Sequence, residues 1–168
     1  MFRNFVYNIQ EELQSNAYPG RGIILGRTKD NKKNVIAYFI MGRSENSRNR
    51  IFVETEDGIR TEAFDHSKMT DPSLIIYHPV RTCEGKTVVT NGDQTDTICE
   101  YLKQGKSYIE ALRTRQFEPD APNYTSRISA VVNEDGSYDI SILKNFTSDR
   151  TANKRFFYEY DKPVAGLG

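Results

Sequence analysis

Short strand-forming runs separated by closely spaced turn signals constrain this chain more than any other feature. Ile23-Ile24-Leu25 is followed by a polar stretch over 26–34 and then by Val35 to Met41, which reads as a hairpin. Ile51-Phe52-Val53 and Ile59 to Phe64 flank Asp57-Gly58, a two-residue turn signal. Leu74 to Tyr77 is strand-like and stops before Pro79, and Thr87 to Thr90 follows the turn Glu84-Gly85. Ile128 to Val132 and Tyr138 to Leu143 surround Glu134-Asp135-Gly136, and Arg155 to Tyr160 forms a last strand. Connections this short join antiparallel neighbours, because a parallel pair needs a crossover of a dozen or more residues.

Helical signals are few and clustered. Phe5, Val6, Ile9 and Leu13 fit one face of a leading helix that ends near Ser15-Asn16. Thr95 to Lys103 places Ile98, Tyr101 and Leu102 on one side. Ser107 and Glu110 form a capping box for a helix from Tyr108 to about Arg115. Many paired strands with segregated helices predict an α+β fold with mainly antiparallel sheet. The length of 168 residues suits one domain over 1–168.

Composition excludes some function classes. Lys plus Arg and Asp plus Glu each number 23, so broad, nonspecific binding to nucleic acid or membrane is not expected. No stretch approaches the length needed to span a bilayer, and the first residues lack the pattern of a signal peptide, so a cytoplasmic location is expected. With two cysteines and two histidines there are too few ligands for a structural zinc site. A lone Cys83 and Cys99 pair is read as free thiols, although one disulfide is formally possible.

Four segments carry chemistry. Arg43, Arg48 and Arg50 follow a strand within Gly42 to Arg50, where planar guanidinium forks can surround a phosphate; a solvated loop is the plain alternative. Thr90 to Asp96 stands between a strand and a helix. Asn91 and Asp96 suit contact with a base, ribose or carboxamide better than a phosphate, and an Asn-Gly turn with a helix cap is the plain alternative. Phe117 to Arg127 is a loop stiffened by Pro119 and Pro122 that carries Glu118 and Asp120. Tyr77, at a strand end, is a hydrogen-bond donor for a developing oxyanion or a rim residue of the core. No Walker-type loop, no G-x-G-x-x-G, no G-x-S-x-G and no nucleophile at residues 1–2 is present, so covalent catalysis has no obvious bearer.

Five stretches occur in an order that resembles the archaeal-type inosine monophosphate (IMP) cyclohydrolases. They are Tyr18-Pro-Gly-Arg-Gly-Ile-Ile-Leu-Gly-Arg27, Arg43-Ser to Asn49-Arg50, Tyr77 to Arg81, Val88-Val-Thr-Asn-Gly-Asp-Gln-Thr-Asp-Thr-Ile98 and Asn123-Tyr-Thr-Ser-Arg-Ile-Ser-Ala130. The resemblance implies a four-layer αββα sandwich, similar to the N-terminal nucleophile hydrolase fold but without its terminal nucleophile. It implies closure of the purine ring, in which 5-formamidoimidazole-4-carboxamide ribotide (FAICAR) loses water to give IMP. That reaction needs no metal or redox cofactor.

By the same resemblance Tyr77, Glu118 and Arg50 are expected at the reacting end. Arg21, Arg43, Asn91, Gly92, Asp96, Asn123 and Arg127 are expected to bind substrate or shape the pocket. The partner implied is a purine ribonucleotide, with no nucleic acid or membrane, and the chain is expected to form a homo-oligomer. Departures from the family pattern are residues 1–17, which read as an N-terminal extension, Ser126 in place of a proline, and His78-Pro79 in place of Asn-Cys. Family chains continue past the point where this one stops, so the expectation is either truncation after Gly168 or a short paralogue. The competing readings are a binding protein for purine nucleotides that has lost the chemistry and, ranked last, another amide hydrolase on the same fold.

Overall fold

The computed structural model describes residues 7–147 and 151–168. Its main body is a seven-stranded antiparallel sheet in which each strand pairs with the next in sequence. The strands are β3 (Ile51–Thr55), β4 (Gly58–Glu62), β5 (Val80–Cys83), β6 (Lys86–Thr90), β7 (Arg127–Val132), β8 (Tyr138–Asn145) and β9 (Asn153–Tyr160). A separate hairpin pairs β1 (Arg21–Arg27) with β2 (Asn34–Ile40). Helices are α1 (Ile9–Ser15), a short α2 (Glu45–Arg48), α3 (Gln94–Lys103) and α4 (Tyr108–Arg113). The α+β reading with mainly antiparallel pairing therefore holds.

The central strands are buried on both faces, and alternation divides their side chains between two cores. On one face Val88, Val131 and Leu143 pack against Ile98, Cys99, Ala111 and Leu112 of α3 and α4. On the other, Val89, Ala130 and Val132 pack against Leu25 of the hairpin, with Ile23, Ile36 and Tyr38 around them. Val88 and Val89 are both fully enclosed although they are adjacent in sequence, as a strand sandwiched between two layers requires. Burying each such side chain stabilises the fold by roughly 1.5–3 kcal/mol. Three layers result among the described residues: helices, the seven-stranded sheet and the hairpin.

Turn chemistry follows the sequence closely at Glu84-Gly85. These residues take φ of 50° and 70° between the paired residues Cys83 and Lys86, as a two-residue hairpin turn of this hand demands. At the neighbouring hairpin Thr55 pairs with Gly58, so the loop is Glu56-Asp57, one residue earlier than the Asp57-Gly58 signal suggests. The capping box at Ser107 and Glu110 is present at the start of α4. The leading helix spans Ile9–Ser15, while Asn4, Phe5 and Val6, which the sequence places in it, lie outside the described residues.

Two expectations are corrected. Leu74 to Tyr77 is not a strand; it is a turn in which the Ile75 and Ile76 amides donate to the Pro72 carbonyl. A single threonine substitutes for a ladder here. The Thr61 hydroxyl donates to the Ile75 carbonyl at 2.7 Å and accepts from the Tyr77 amide at 2.9 Å. The strand next to Pro79 is β5, which starts immediately after it at Val80. Cys83 and Cys99 are not free thiols; they form a disulfide with Cα atoms 5.8 Å apart. The cause is tertiary: α3 packs over the face of β5 to which Cys83 points, and both sulfurs enter the same core.

Candidate active site

Glu118 sits at the centre of the site although it lies on a loop. Its amide donates to the Thr125 carbonyl at 2.9 Å, and Asp120 accepts from the Thr125 amide at 2.6 Å. Phe117 and Tyr124 meet edge to face at 5.8 Å. The loop is thus cross-braced, and it delivers a carboxylate that is only 1% exposed. Arg21, the first residue of β1, reaches across with Nη1 2.6 Å from Glu118 Oε1 and also donates to the Asn91 carbonyl at 3.0 Å.

Arg21 and Glu118 form part of the wall of a cavity of about 460 Å³, large enough for a compact small molecule. Asn91 and Asn123 line it, and at its more exposed end stand Arg43, Ser44, Asn46 and Ser47. Arg43 also lies over the Tyr18 ring, with Cζ 5.1 Å from the centroid. The side chain of Asn91 is committed. Its Oδ1 accepts from the Ile128 amide and from Gln94 Nε2, and its Nδ2 donates to the Ser126 carbonyl.

Behind this wall lies a second tier. The Tyr77 and Tyr38 hydroxyls are 2.7 Å apart. Arg50 Nη1 points to the Ile75 carbonyl at 3.4 Å, and its Nη2 is buried with no partner among the described residues. Tyr77, Arg50, Arg21 and Glu118 act on one another electrostatically. Burial pushes the Glu118 carboxyl above the ordinary range, and Arg21 opposes the shift. Burial also raises the Tyr77 phenol, against the pull of Arg21. Arg50 is lowered, by burial first and then by the like charge of Arg21, with Tyr77 opposing. For Arg21 burial acts downward, but Glu118, Tyr77 and Tyr38 together outweigh it and the net shift is upward.

The remaining expected residues stand apart from the cavity wall. Arg127 is buried, with Nη1 2.7 Å from Asp93 Oδ1 and 2.6 Å from Gln94 Oε1, and Nε donating to the Gln116 carbonyl. Gly92 is wedged beside it: a Cβ there would stand 2.6 Å from Arg127 Nη1 and 3.3 Å from Glu118 Oε1. Asp96 accepts from Arg81 Nη1 at 2.8 Å and lies 3.7 Å from His78 Nδ1. The structure therefore gathers Arg21, Arg43, Asn91, Glu118 and Asn123 at the cavity and sets Tyr77 and Arg50 beneath it. Gly92 and Arg127 buttress it, and Asp96 is directed to Arg81. Sequence reading missed Tyr38. Its one signal is a polar-tipped side chain on the same alternating face of β2 as Ile36, a core-facing residue.

A family model described as IMP cyclohydrolase-like protein matches residues 18–163. The chain belongs to the IMP cyclohydrolase-like family. Similar proteins include the IMP cyclohydrolase of Methanococcus aeolicus, 28% identical over 125 residues, which cover 72% of this chain and 61% of the relative. The IMP cyclohydrolase of Halobacterium salinarum is 30% identical over 131 residues, covering 76% and 63%. That of Methanopyrus kandleri is 29% identical over 158 residues, covering 90% and 72%. The chain thus spans a little over three fifths of the first two relatives. The matched span begins at Tyr18 and takes in every residue of the two tiers just described.

Proposed function

We propose that this chain closes the second ring of a purine ribonucleotide, converting FAICAR into IMP with release of water. The observation that carries the reading is the buried Glu118–Arg21 pair in the wall of the cavity, within the electrostatic reach of Tyr77 and Arg50. In this reaction the carboxamide nitrogen attacks the formyl carbon. One proton leaves the carboxamide nitrogen, one leaves the formamido nitrogen, and both end on the formyl oxygen, which departs as water. Both reacting groups belong to one molecule, so holding them in the reactive rotamer supplies much of the acceleration.

Each residue has a role on this reading. Glu118, ionised against Arg21, takes the carboxamide proton directly or through water. Tyr77, kept protonated by burial, donates to the formyl oxygen as charge develops there, and the unpartnered N–H of Arg50 adds a second donor. Arg21 holds Glu118 ionised and stands in the cavity wall, where it faces the substrate. Arg43 takes the phosphate end, where the Ser44 hydroxyl and the second amide hydrogen of Asn46 add donors. Asn91 and Asn123 shape the wall, and Gly92 and Arg127 hold Glu118 in place. Asp96 enters only as a support for α3 through Arg81.

The wider reading is one domain whose hairpin belongs to the second sheet of a four-layer αββα sandwich, acting as a homo-oligomer in the cytoplasm. The Cys83–Cys99 disulfide is unusual for that compartment, so a thiol count on protein taken directly from cells bears on the location. The test of function is an ultraviolet assay of the purified chain with FAICAR. Turnover to IMP is expected, with loss of rate in Tyr77→Phe and Glu118→Gln. Measurable IMP binding with no turnover sinks the enzyme reading in favour of a nucleotide-binding paralogue.

A further inference from the structure

Tyr38 and Tyr77 arrive from different layers. Tyr38 belongs to the hairpin, where its ring meets Phe52 edge to face at 6.0 Å. Tyr77 belongs to the turn pinned by Thr61, whose hydroxyl accepts from the Tyr77 amide and whose own amide donates to the Tyr77 carbonyl at 2.9 Å. Each ring is therefore placed by contacts of its own, and the two hydroxyl oxygens meet at 2.7 Å.

A phenol has one hydrogen, so at this distance only one of the two hydrogens lies between the oxygens. If Tyr77 donates to Tyr38, its proton is occupied and it cannot donate to a substrate. If Tyr38 donates, Tyr77 accepts with a lone pair and its own hydrogen is left free for another acceptor. The second arrangement also makes Tyr77 the better acid, because a donated bond stabilises its phenolate.

We propose that Tyr38 is a positioning residue for Tyr77: its hydroxyl donates to Tyr77 Oη, fixes the phenol rotor and leaves the Tyr77 proton free for the reacting oxygen. The proposal rests on Tyr77 as the proton donor of the reaction proposed above. Its reach goes further, because it assigns a role to a hydroxyl outside the cavity wall. It also makes proton delivery depend on contact between the hairpin and the main sheet.

The test uses the full chain as wild type, Tyr38→Phe, Tyr77→Phe and the double variant. Tyr38→Phe keeps the ring that packs on Phe52 and removes only the hydroxyl. Its kcat is expected to fall about tenfold, the effect of one buried hydrogen bond, with KM within about twofold of wild type. The alkaline limb of kcat is expected to move to higher pH, as Tyr77 becomes the weaker acid. The double variant is expected to be no slower than Tyr77→Phe alone, because Tyr38 acts through Tyr77. An unchanged kcat in Tyr38→Phe, or a double variant slowed by the product of the two single effects, overturns the proposal.

A readout independent of turnover separates this proposal from the function it rests on. In tyrosine labelled at 13Cζ, the Tyr77 resonance is identified by its absence in Tyr77→Phe. In Tyr38→Phe without substrate it is expected to move more than that of any other tyrosine. A Tyr77 resonance that stays in place overturns the hydroxyl pairing whether or not the chain turns over. A shift in Tyr38→Phe with no turnover by the wild-type chain overturns the ring-closure reading and the proton delivery with it, and leaves only the hydroxyl contact.

Discussion

At the scale of single residues, the site is governed by what burial does to charge. Glu118 is nearly inaccessible, yet it has one strong partner, Arg21, and burial still leaves its carboxyl raised. As the proposed base it works only when ionised, so activity is expected to appear as pH rises through that raised value and to disappear as pH falls through it. The acid limb of kcat is therefore expected above 4.5, the ordinary carboxyl value for this residue. Glu118→Gln is expected to abolish that limb and to lower kcat by about 100-fold or more. An acid limb that survives unchanged in Glu118→Gln shows that another group titrates. Arg43→Ala acts differently, because its guanidinium stands at the exposed end of the cavity. KM is expected to rise about tenfold or more with kcat little changed, the signature of lost ground-state binding. Both residues were legible in the sequence, Glu118 in a proline-stiffened loop and Arg43 after a strand. Tyr38 was not, because a tyrosine on the buried face of a strand reads as packing until the hydroxyl facing it is known. Arg127 was legible as important, but its partners Asp93 and Gln94 lie more than thirty residues away in sequence, and nothing local announced them.

At the scale of elements, local chemistry was readable where the chain closes on itself and unreadable where a distant residue intervenes. The Glu84-Gly85 turn and the Ser107–Glu110 cap are local, and the sequence announces both. Leu74 to Tyr77 has strand composition, but Pro72 starts a turn there and Thr61, from β4, takes up the backbone groups a neighbouring strand would use. The disulfide between β5 and α3 was equally hidden, since it depends on helix packing. Its ring closes a separation of 16 residues. Removing it in the Cys83→Ser, Cys99→Ser double variant is expected to cost about 3 kcal/mol in urea unfolding compared with oxidised wild type. Gly92 joins β6 to α3 in a space without room for a side chain. Gly92→Ala is expected to destabilise by about 1–3 kcal/mol and to lower kcat as well, because the added carbon presses on Arg127 and on the Glu118 carboxylate. Loss of stability with a fully retained kcat contradicts the tie between this turn and Glu118.

At the scale of the whole molecule, an open meander of seven strands leaves β3 and β9 as edges, with Ile51, Phe52, Tyr158 and Tyr160 exposed along them. Exposed apolar edges favour association. Sedimentation at tens of micromolar is expected to show species heavier than the 19.3 kDa protomer, and a monomer at every concentration counts against assembly. The hairpin pairs were foreseeable from short connections, whereas the pairing of β4 with β5 and of β6 with β7, across 63–79 and 91–126, was not, and nor was the layering, because hydrophobic alternation says which faces are buried and not what buries them. The site itself straddles the layers: Arg21 and Tyr38 come with the hairpin, while Glu118, Tyr77 and Arg50 come from segments attached to the large sheet. On the proposed roles the base, the acid and the second donor come with the large sheet, and the groups that tune them come with the hairpin. On that reading the site is a coincidence detector for the docking of the hairpin on the sheet. Conditions that lift the hairpin from the sheet are expected to silence the chain while its helical circular dichroism is still intact.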